Sequence, residues 1–307
     1  LLRSDLPKKG TLSFSSSVSE VARSAKLIIE AVPERLSAKQ SVYDEIESSS
    51  NSEVIIASST SGILPSDLQA QMSHPDRLLV AHPFNPVYLL PLVEMVGGEK
   101  TSKKVIEETS NILSVIGMFP LHIKKEIPAF IADRLLESVW REALWLVNDN
   151  VATTEEIDDA IRYGFGLRWA QMGLFETYRL AGGDAGMRHF ISQFGPCLEW
   201  PWTHLMDVPE FTDELIDKVS NQSDLQSGQY SIDELMQKRD DNLVDFLKVL
   251  KNNRWGAGNI LKDFDDRLSN PKSKIEFSKL DLNQPLLTFE TKIPKEWVDY
   301  NGHMTES

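Results

Sequence analysis

Three short runs decide the fold: Lys26-Leu-Ile-Ile-Glu-Ala-Val32, Glu53-Val-Ile-Ile-Ala-Ser58 and Arg77-Leu-Leu-Val-Ala-His82. Each is β-branched or leucine-rich, and such runs read as strands buried on both faces of a parallel sheet. Between them lie amphipathic stretches such as Ala38 to Ser48, with Val42 and Ile46 at helical spacing. Further apolar runs follow at Leu89 to Val96 and Phe119 to Ile123, separated by a predicted helix from Ser102 to Ile116. This alternation predicts βαβ units and a doubly wound α/β sheet.

From Pro128 the pattern changes. Pro128 suits the first turn of a helix, where its missing N–H is no loss. Ile131, Leu135, Val139, Ala143 and Val147 then mark one face of a long helix reaching about Asn148. Thr153-Thr-Glu-Glu156 has capping-box spacing, and Gly164 can end the short helix it starts. Ser231-Ile-Asp-Glu234 repeats the signal before a helix to about Lys251. No strand is read between Pro128 and Lys262, so this region is expected to be helical. Asp265 to Gln284, rich in Asp, Asn, Ser and Lys, reads as a linker. Leu286 to Ile293 then alternates as a strand should.

Composition bounds the function. With 32 basic and 46 acidic residues the net charge is −14, which argues against a nucleic-acid backbone or an anionic membrane as the main partner. The single cysteine, Cys197, cannot form an intrachain disulfide and points to a reducing compartment. Neither a run of about 18 apolar residues nor an apolar leader is readable, so a cytoplasmic location is expected. No metal site is read. The chain begins without Met and is expected to start partway through a longer gene product.

The densest chemical signal is Ser58-Ser-Thr-Ser61-Gly62 at one strand end, then His82-Pro-Phe-Asn85-Pro86 at the next. In open α/β sheets, ligands bind just beyond the carboxyl ends of strands. Glu94, flanked by Val93 and Met95, is costly to bury without a partner. A histidine suits it, because the carboxylate would fix the tautomer and raise the basicity of the ring. The plainer alternative is a histidine closing a strand end and an edge-strand glutamate facing water.

The set Ser59-Thr-Ser61, His82-Pro-Phe-Asn-Pro-Val87, Leu92-Val-Glu94 and Pro128-Ala-Phe-Ile-Ala-Asp-Arg134 resembles the 3-hydroxyacyl-CoA dehydrogenase family over roughly Ser15 to Leu250. The resemblance implies oxidation of a secondary alcohol by hydride transfer to NAD. It implies His82 as general base and Glu94 as the residue orienting it. Ser61 would hydrogen-bond the substrate oxygen or the nicotinamide side. The resemblance also places Glu34, Lys39, Ser61 and Asn85 on cofactor-contacting positions, although from the residues alone Glu34 and Lys39 read as solvated surface charges.

Two departures from the family pattern stand out. Acyl-CoA-specific members carry an asparagine where this chain has Asp133, and Asp133-Arg134 resembles the branch acting on L-carnitine. An anionic side chain there suits a quaternary ammonium better than a thioester. Arg168 is a candidate for the substrate carboxylate. Trp169, Tyr178, Trp200 and Trp202 are candidates for the trimethylammonium group, or else core aromatics. The second departure is larger, because no Gly-x-Gly-x-x-Gly turn occurs. The sheet is therefore expected to be an incomplete Rossmann-like one that binds NAD poorly in these residues alone. A 3-hydroxyacyl-CoA dehydrogenase, or a non-catalytic protein that lost the cofactor loop, is the competing reading.

The tail, Pro294 to Met304, resembles the opening of a hot-dog-fold acyl-CoA thioesterase, with Asp299 and Asn301 at positions near that family's site. The expected organisation is thus a partial NAD-binding domain over 1–124, a helical substrate and dimerisation domain over 125–262, a linker over 263–285, and the start of a thioesterase over 286–307. A homodimer is implied by the family alone.

Overall fold

The computed structural model describes residues 10–181, 186–199, 202–203, 212–215, 217–218, 221, 229, 232–269 and 286–289. Two compact units emerge. One holds residues 1–134, 247–252 and 257–307; the other holds 135–246 and 253–256.

In the first unit the elements run β1 (Leu12–Ser15), α1 (Val18–Ala22), β2 (Leu27–Glu30), α2 (Leu36–Ser49), β3 (Ile55–Ser58) and α3 (Pro65–Gln69). They continue as β4 (Leu78–Pro83), β5 (Leu92–Gly97), α4 (Lys103–Val115) and β6 (Phe119–Ile123). Strands β2 to β6 form one sheet in sequential order. Its two faces separate cleanly by the two-residue period of a strand. Ile56, Leu78, Val80 and Val96 pack on one side, and Ile55, Ala57, Leu79, Ala81 and Met95 on the other. Both faces of the inner strands β3, β4 and β5 are covered, which is why they read as near-continuous apolar runs.

One pairing differs from the all-parallel sheet expected. β4 and β5 are antiparallel, with His82 directly opposite Glu94. The cause is length: a parallel pair needs a crossover of about a dozen residues or more, and the loop between Pro83 and Leu92 is too short. β1 stands apart from this sheet and pairs in parallel with β7 (Leu286–Phe289).

The long helix α5 (Ala132–Asn148) starts four residues after Pro128, not at it. Ala129 and Phe130 adopt left-handed φ values of 60° and 48°, so residues 128–131 form a turn. Each left-handed residue costs about 1–2 kcal/mol. Complete burial of Phe130 returns about 1.5–3 kcal/mol. Two backbone bonds to the Glu94 carboxylate, described below, supply the remainder.

The second unit contains most of α5, then α6 (Thr154–Ala160), α7 (Gly166–Ala181), α8 (Gly186–Phe194) and most of α9 (Ile232–Asn253). Thr153 and Glu156 form the expected reciprocal cap of α6. Past α6, Gly164 leaves helical geometry (φ −112°, ψ −116°) in the wide turn leading to α7. Ser231, the expected cap of α9, lies outside the described residues.

Helix α10 (Ala257–Ser269) corrects the linker boundary, because it continues through the first residues read as linker. The polar composition misled. Leu261, Phe264 and Leu268 keep helical spacing, and buried Asp265 pairs with buried Lys251 at 2.9 Å. The end of α9 and all of α10 thus belong to the first unit and not to the helical one.

Candidate active site

The antiparallel β4–β5 register brings His82 and Glu94 side by side. His82 Nδ1 lies 3.3 Å from Glu94 Oε2, with both residues buried. The other carboxylate oxygen, Oε1, accepts the backbone N–H groups of Ile131 and Ala132, each at 3.0 Å. Glu94 therefore answers the cost of its own burial with three donors. With Nδ1 donating to a carboxylate, Nε2 is left as the basic nitrogen of the ring.

That nitrogen faces Asp133. Asp133 Oδ2 stands 3.7 Å from His82 Nε2, close enough for ion pairing but beyond a hydrogen bond. Asp133 sits in the first turn of α5, so the Glu94 bonds that fix the start of the helix also fix the place of this carboxylate. Burial pushes the Asp133 pKa above its ordinary value, and the Glu94 charge adds to that. The neighbouring His82 opposes it. The imidazole itself meets two rings, Phe84 at 4.9 Å edge-on and Phe130 at 5.7 Å tilted.

A second polar cluster closes the ends of β2 and β3. Glu30 Oε1 accepts from Lys39 Nζ (3.0 Å) and the Val32 amide (2.7 Å). Its Oε2 accepts from the Tyr43 hydroxyl (2.6 Å) and Ser58 Oγ (2.7 Å). Burial and the adjacent Glu30 charge raise the Tyr43 pKa far above its usual value, so the phenol stays a donor. Lys39 also donates to the Val32 carbonyl at 3.1 Å and pairs with Glu34 at 3.2 Å. Glu34 in turn accepts from the Thr60 hydroxyl and the Gly62 amide, which clamps the loop carrying Ser61.

The structure therefore gathers His82, Glu94 and Asp133 into one group, and Glu34 and Lys39 into another. Lys39 is fully buried with three protein acceptors around its ammonium, whereas the Glu34 side chain is 22% exposed. Ser61 is half-buried and makes no hydrogen bond among the described residues, and Asn85 is exposed. Arg168, Trp169 and Tyr178 belong to the second unit. There Trp169 packs on Phe165, and Tyr178 stacks on Phe190 at 4.6 Å. Trp202 is exposed, and Trp200 lies outside the described residues.

Glu30, Tyr43 and Phe130 are the residues that sequence reasoning passed over. A signal for Glu30 existed, since a carboxylate inside the run Leu27 to Val32 demands buried donors. Lys39 and Tyr43, four apart on one helix face, are the donors it finds.

A dinucleotide fits this edge in part. The free Ser61 hydroxyl, the partly exposed Glu34 carboxylate and the exposed Asn85 amide offer the polar groups that a ribose and a carboxamide need. The pyrophosphate needs a Gly-rich turn on a helix N-terminus, and these residues contain none.

The fold and the dyad define an α/β domain with a histidine–carboxylate pair at its strand ends, followed by helices. Residues 7–127 match the model of the 3-hydroxyacyl-CoA dehydrogenase NAD binding domain, and 130–218 match that of the C-terminal domain of the same family. The chain belongs to the 3-hydroxyacyl-CoA dehydrogenase family. Among curated relatives it is 56% identical over 302 residues to the L-carnitine dehydrogenase/betainyl-CoA thioesterase of Ruegeria pomeroyi, covering 98% of this chain and 62% of that protein. It is also 56% identical over 274 residues to the L-carnitine dehydrogenase of Mesorhizobium japonicum, covering 88% of this chain and 75% of that one. The chain thus spans under two thirds of the length of its two-function relative. A solved structure of 5-formyl-3-hydroxy-2-methylpyridine 4-carboxylic acid 5-dehydrogenase, an NAD+-dependent dismutase, aligns with TM-score 0.65 and 28% identity. That alignment covers 78% of this chain and 77% of the other.

Proposed function

We propose that this chain is the dehydrogenase part of an enzyme that oxidises the 3-hydroxyl of L-carnitine to 3-dehydrocarnitine with NAD. The observation that carries the reading is the Asp133 carboxylate beside the basic nitrogen of a Glu94-supported histidine. His82 Nε2 takes the hydroxyl proton, and Glu94 stabilises the imidazolium that forms. NAD supplies the hydride acceptor when bound. Ser61 holds the substrate oxygen, and Glu34, held by Lys39, keeps the Ser61 loop in place. Asn85 serves the cofactor side.

Asp133 selects the substrate. A carboxylate about 6 Å from a quaternary ammonium interacts by roughly 3 kcal/mol at an effective dielectric near 20, before solvent and geometry discount it. A neutral 3-hydroxyacyl thioester gains nothing from that charge. Arg168 and Trp169 are the residues of the second unit proposed for the carboxylate and trimethylammonium ends. Residues 286–307 are read as the beginning of a thioesterase domain, in keeping with the name of the Ruegeria relative. Their Asp299 and Asn301 lie outside the described residues. Homodimerisation and a cytoplasmic location rest on the family resemblance and the cysteine count.

The test is steady-state kinetics on the full-length protein and its Asp133→Asn variant. Asp133→Asn is expected to raise KM for L-carnitine about five-fold or more while leaving KM for NAD within about two-fold. An unchanged carnitine KM, or a wild-type preference for 3-hydroxybutyryl-CoA, overturns the substrate assignment.

A further inference from the structure

His82 is held to Glu94 by one interaction of 3.3 Å, which is long for a hydrogen bond to a carboxylate. The plane of the imidazole turns about Cβ–Cγ, and a contact this long at Nδ1 restrains that rotation only weakly, so packing against the ring has a share in setting where Nε2 points.

The turn before α5 presents the candidate. Glu126 ties the turn back to α3 by accepting from the Ser66 amide and hydroxyl. Ala129 and Phe130 then take two consecutive left-handed steps, unusual for residues with side chains. Their effect is to drive Phe130 completely into the core, where its ring tilts 50° to the imidazole at 5.7 Å. Phe84, two residues beyond His82 on the other chain segment, meets the same imidazole edge-on at 4.9 Å. The Ile131 and Ala132 amides that follow are bonded to Glu94, so the dyad and the turn lock each other.

We propose that Phe130 is a positioning residue: the left-handed turn exists to place its ring against His82, and with Phe84 it fixes the plane in which Nε2 is offered to the substrate. This rests on His82 being the base, as argued above. The strain in the turn is then not a packing accident but the means by which an aromatic wall reaches the imidazole.

The experiment uses the full-length protein with Phe130→Leu, which keeps an apolar filler and removes the flat ring. Phe84→Leu, at the half-buried side, is the second variant should the first fold poorly. Each is expected to lower kcat for L-carnitine about ten-fold, because a misplacement near 1 Å costs up to about 10²-fold. KM for L-carnitine and for NAD should stay within about two-fold. The ring-nitrogen NMR signals of His82, identified by their loss in His82→Gln, should change from one tautomer to an exchanging mixture. Wild-type kcat in both variants, or a fall in kcat with His82 signals unchanged, overturns the proposal. If the wild type does not oxidise L-carnitine but the His82 signals still respond to Phe130→Leu, the positioning role stands and the proposed substrate falls.

Discussion

Asp133 carries a cost in the absence of substrate. Its pKa is raised by burial and by Glu94, so the folded protein binds the proton more tightly than the unfolded chain does. The sign follows from linkage. A group whose folded pKa lies above its unfolded one stabilises the fold at pH below both values, and that contribution is lost as pH rises through the folded pKa. Near neutral pH the ionised Asp133 is therefore a burden, and Asp133→Asn should melt at a higher temperature than wild type. The gap should close as the solution is acidified through the raised pKa. Thermal melts across pH check this, and a lower melting temperature for Asp133→Asn at neutral pH contradicts it. The same titration should weaken L-carnitine binding on acidification, starting at a higher pH than an ordinary carboxylate would give. The residue that costs stability is the one assigned to substrate choice, as expected where binding energy is reserved for a ligand.

At the scale of elements, the Glu30 network holds β2, β3 and α2 together beneath the Ser61 loop. Glu30 has four donors, and removing one differs from removing the charge they share. Tyr43→Phe should cost about 1–3 kcal/mol, the worth of one hydrogen bond to a buried charge. Glu30→Gln removes the charge that all four donors share and leaves the buried Lys39 ammonium to Glu34 and the Val32 carbonyl, so it should cost more than Tyr43→Phe. Urea denaturation measures both, and equal losses would show that the network does not centre on Glu30. The strands themselves were legible, because β-branched runs buried on two faces leave no polar alternation to misread. The antiparallel turn of β5 was legible only in loop length, and that is a weaker cue than the apolar runs. The start of α5 was misread for a physical reason: Pro128 fits a helix start, and nothing local announces that Ala129 and Phe130 will go left-handed. Burial of Phe130 and the bonds of the next two amides to Glu94, both across a long stretch of sequence, account for that choice. Helix α10 was hidden by its polar face, whose Asp265 finds Lys251 in three dimensions and not along the chain.

On the scale of the whole molecule, a 3-hydroxyacyl-CoA dehydrogenase family fold brings His82 beside two carboxylates, Glu94 and Asp133. His82 and Glu94 were readable as a pair from the resemblance, and the β4–β5 register supplies the reason they meet. The binding groups for the two ends of the substrate were less readable, since an exposed Trp169 or a stacked Tyr178 looks the same in sequence whether it packs or binds. The helical unit therefore holds residues proposed for binding, while the first unit holds the group proposed for the chemistry. That chemistry is open to one direct measurement: NADH formation by the full-length protein with L-carnitine, alongside its His82→Gln variant. The account predicts turnover by wild type and a kcat lower by about 10²–10⁴ in the variant, the usual range for loss of a general base. A variant that keeps most of its turnover, or a wild type that produces no NADH from L-carnitine, would contradict it.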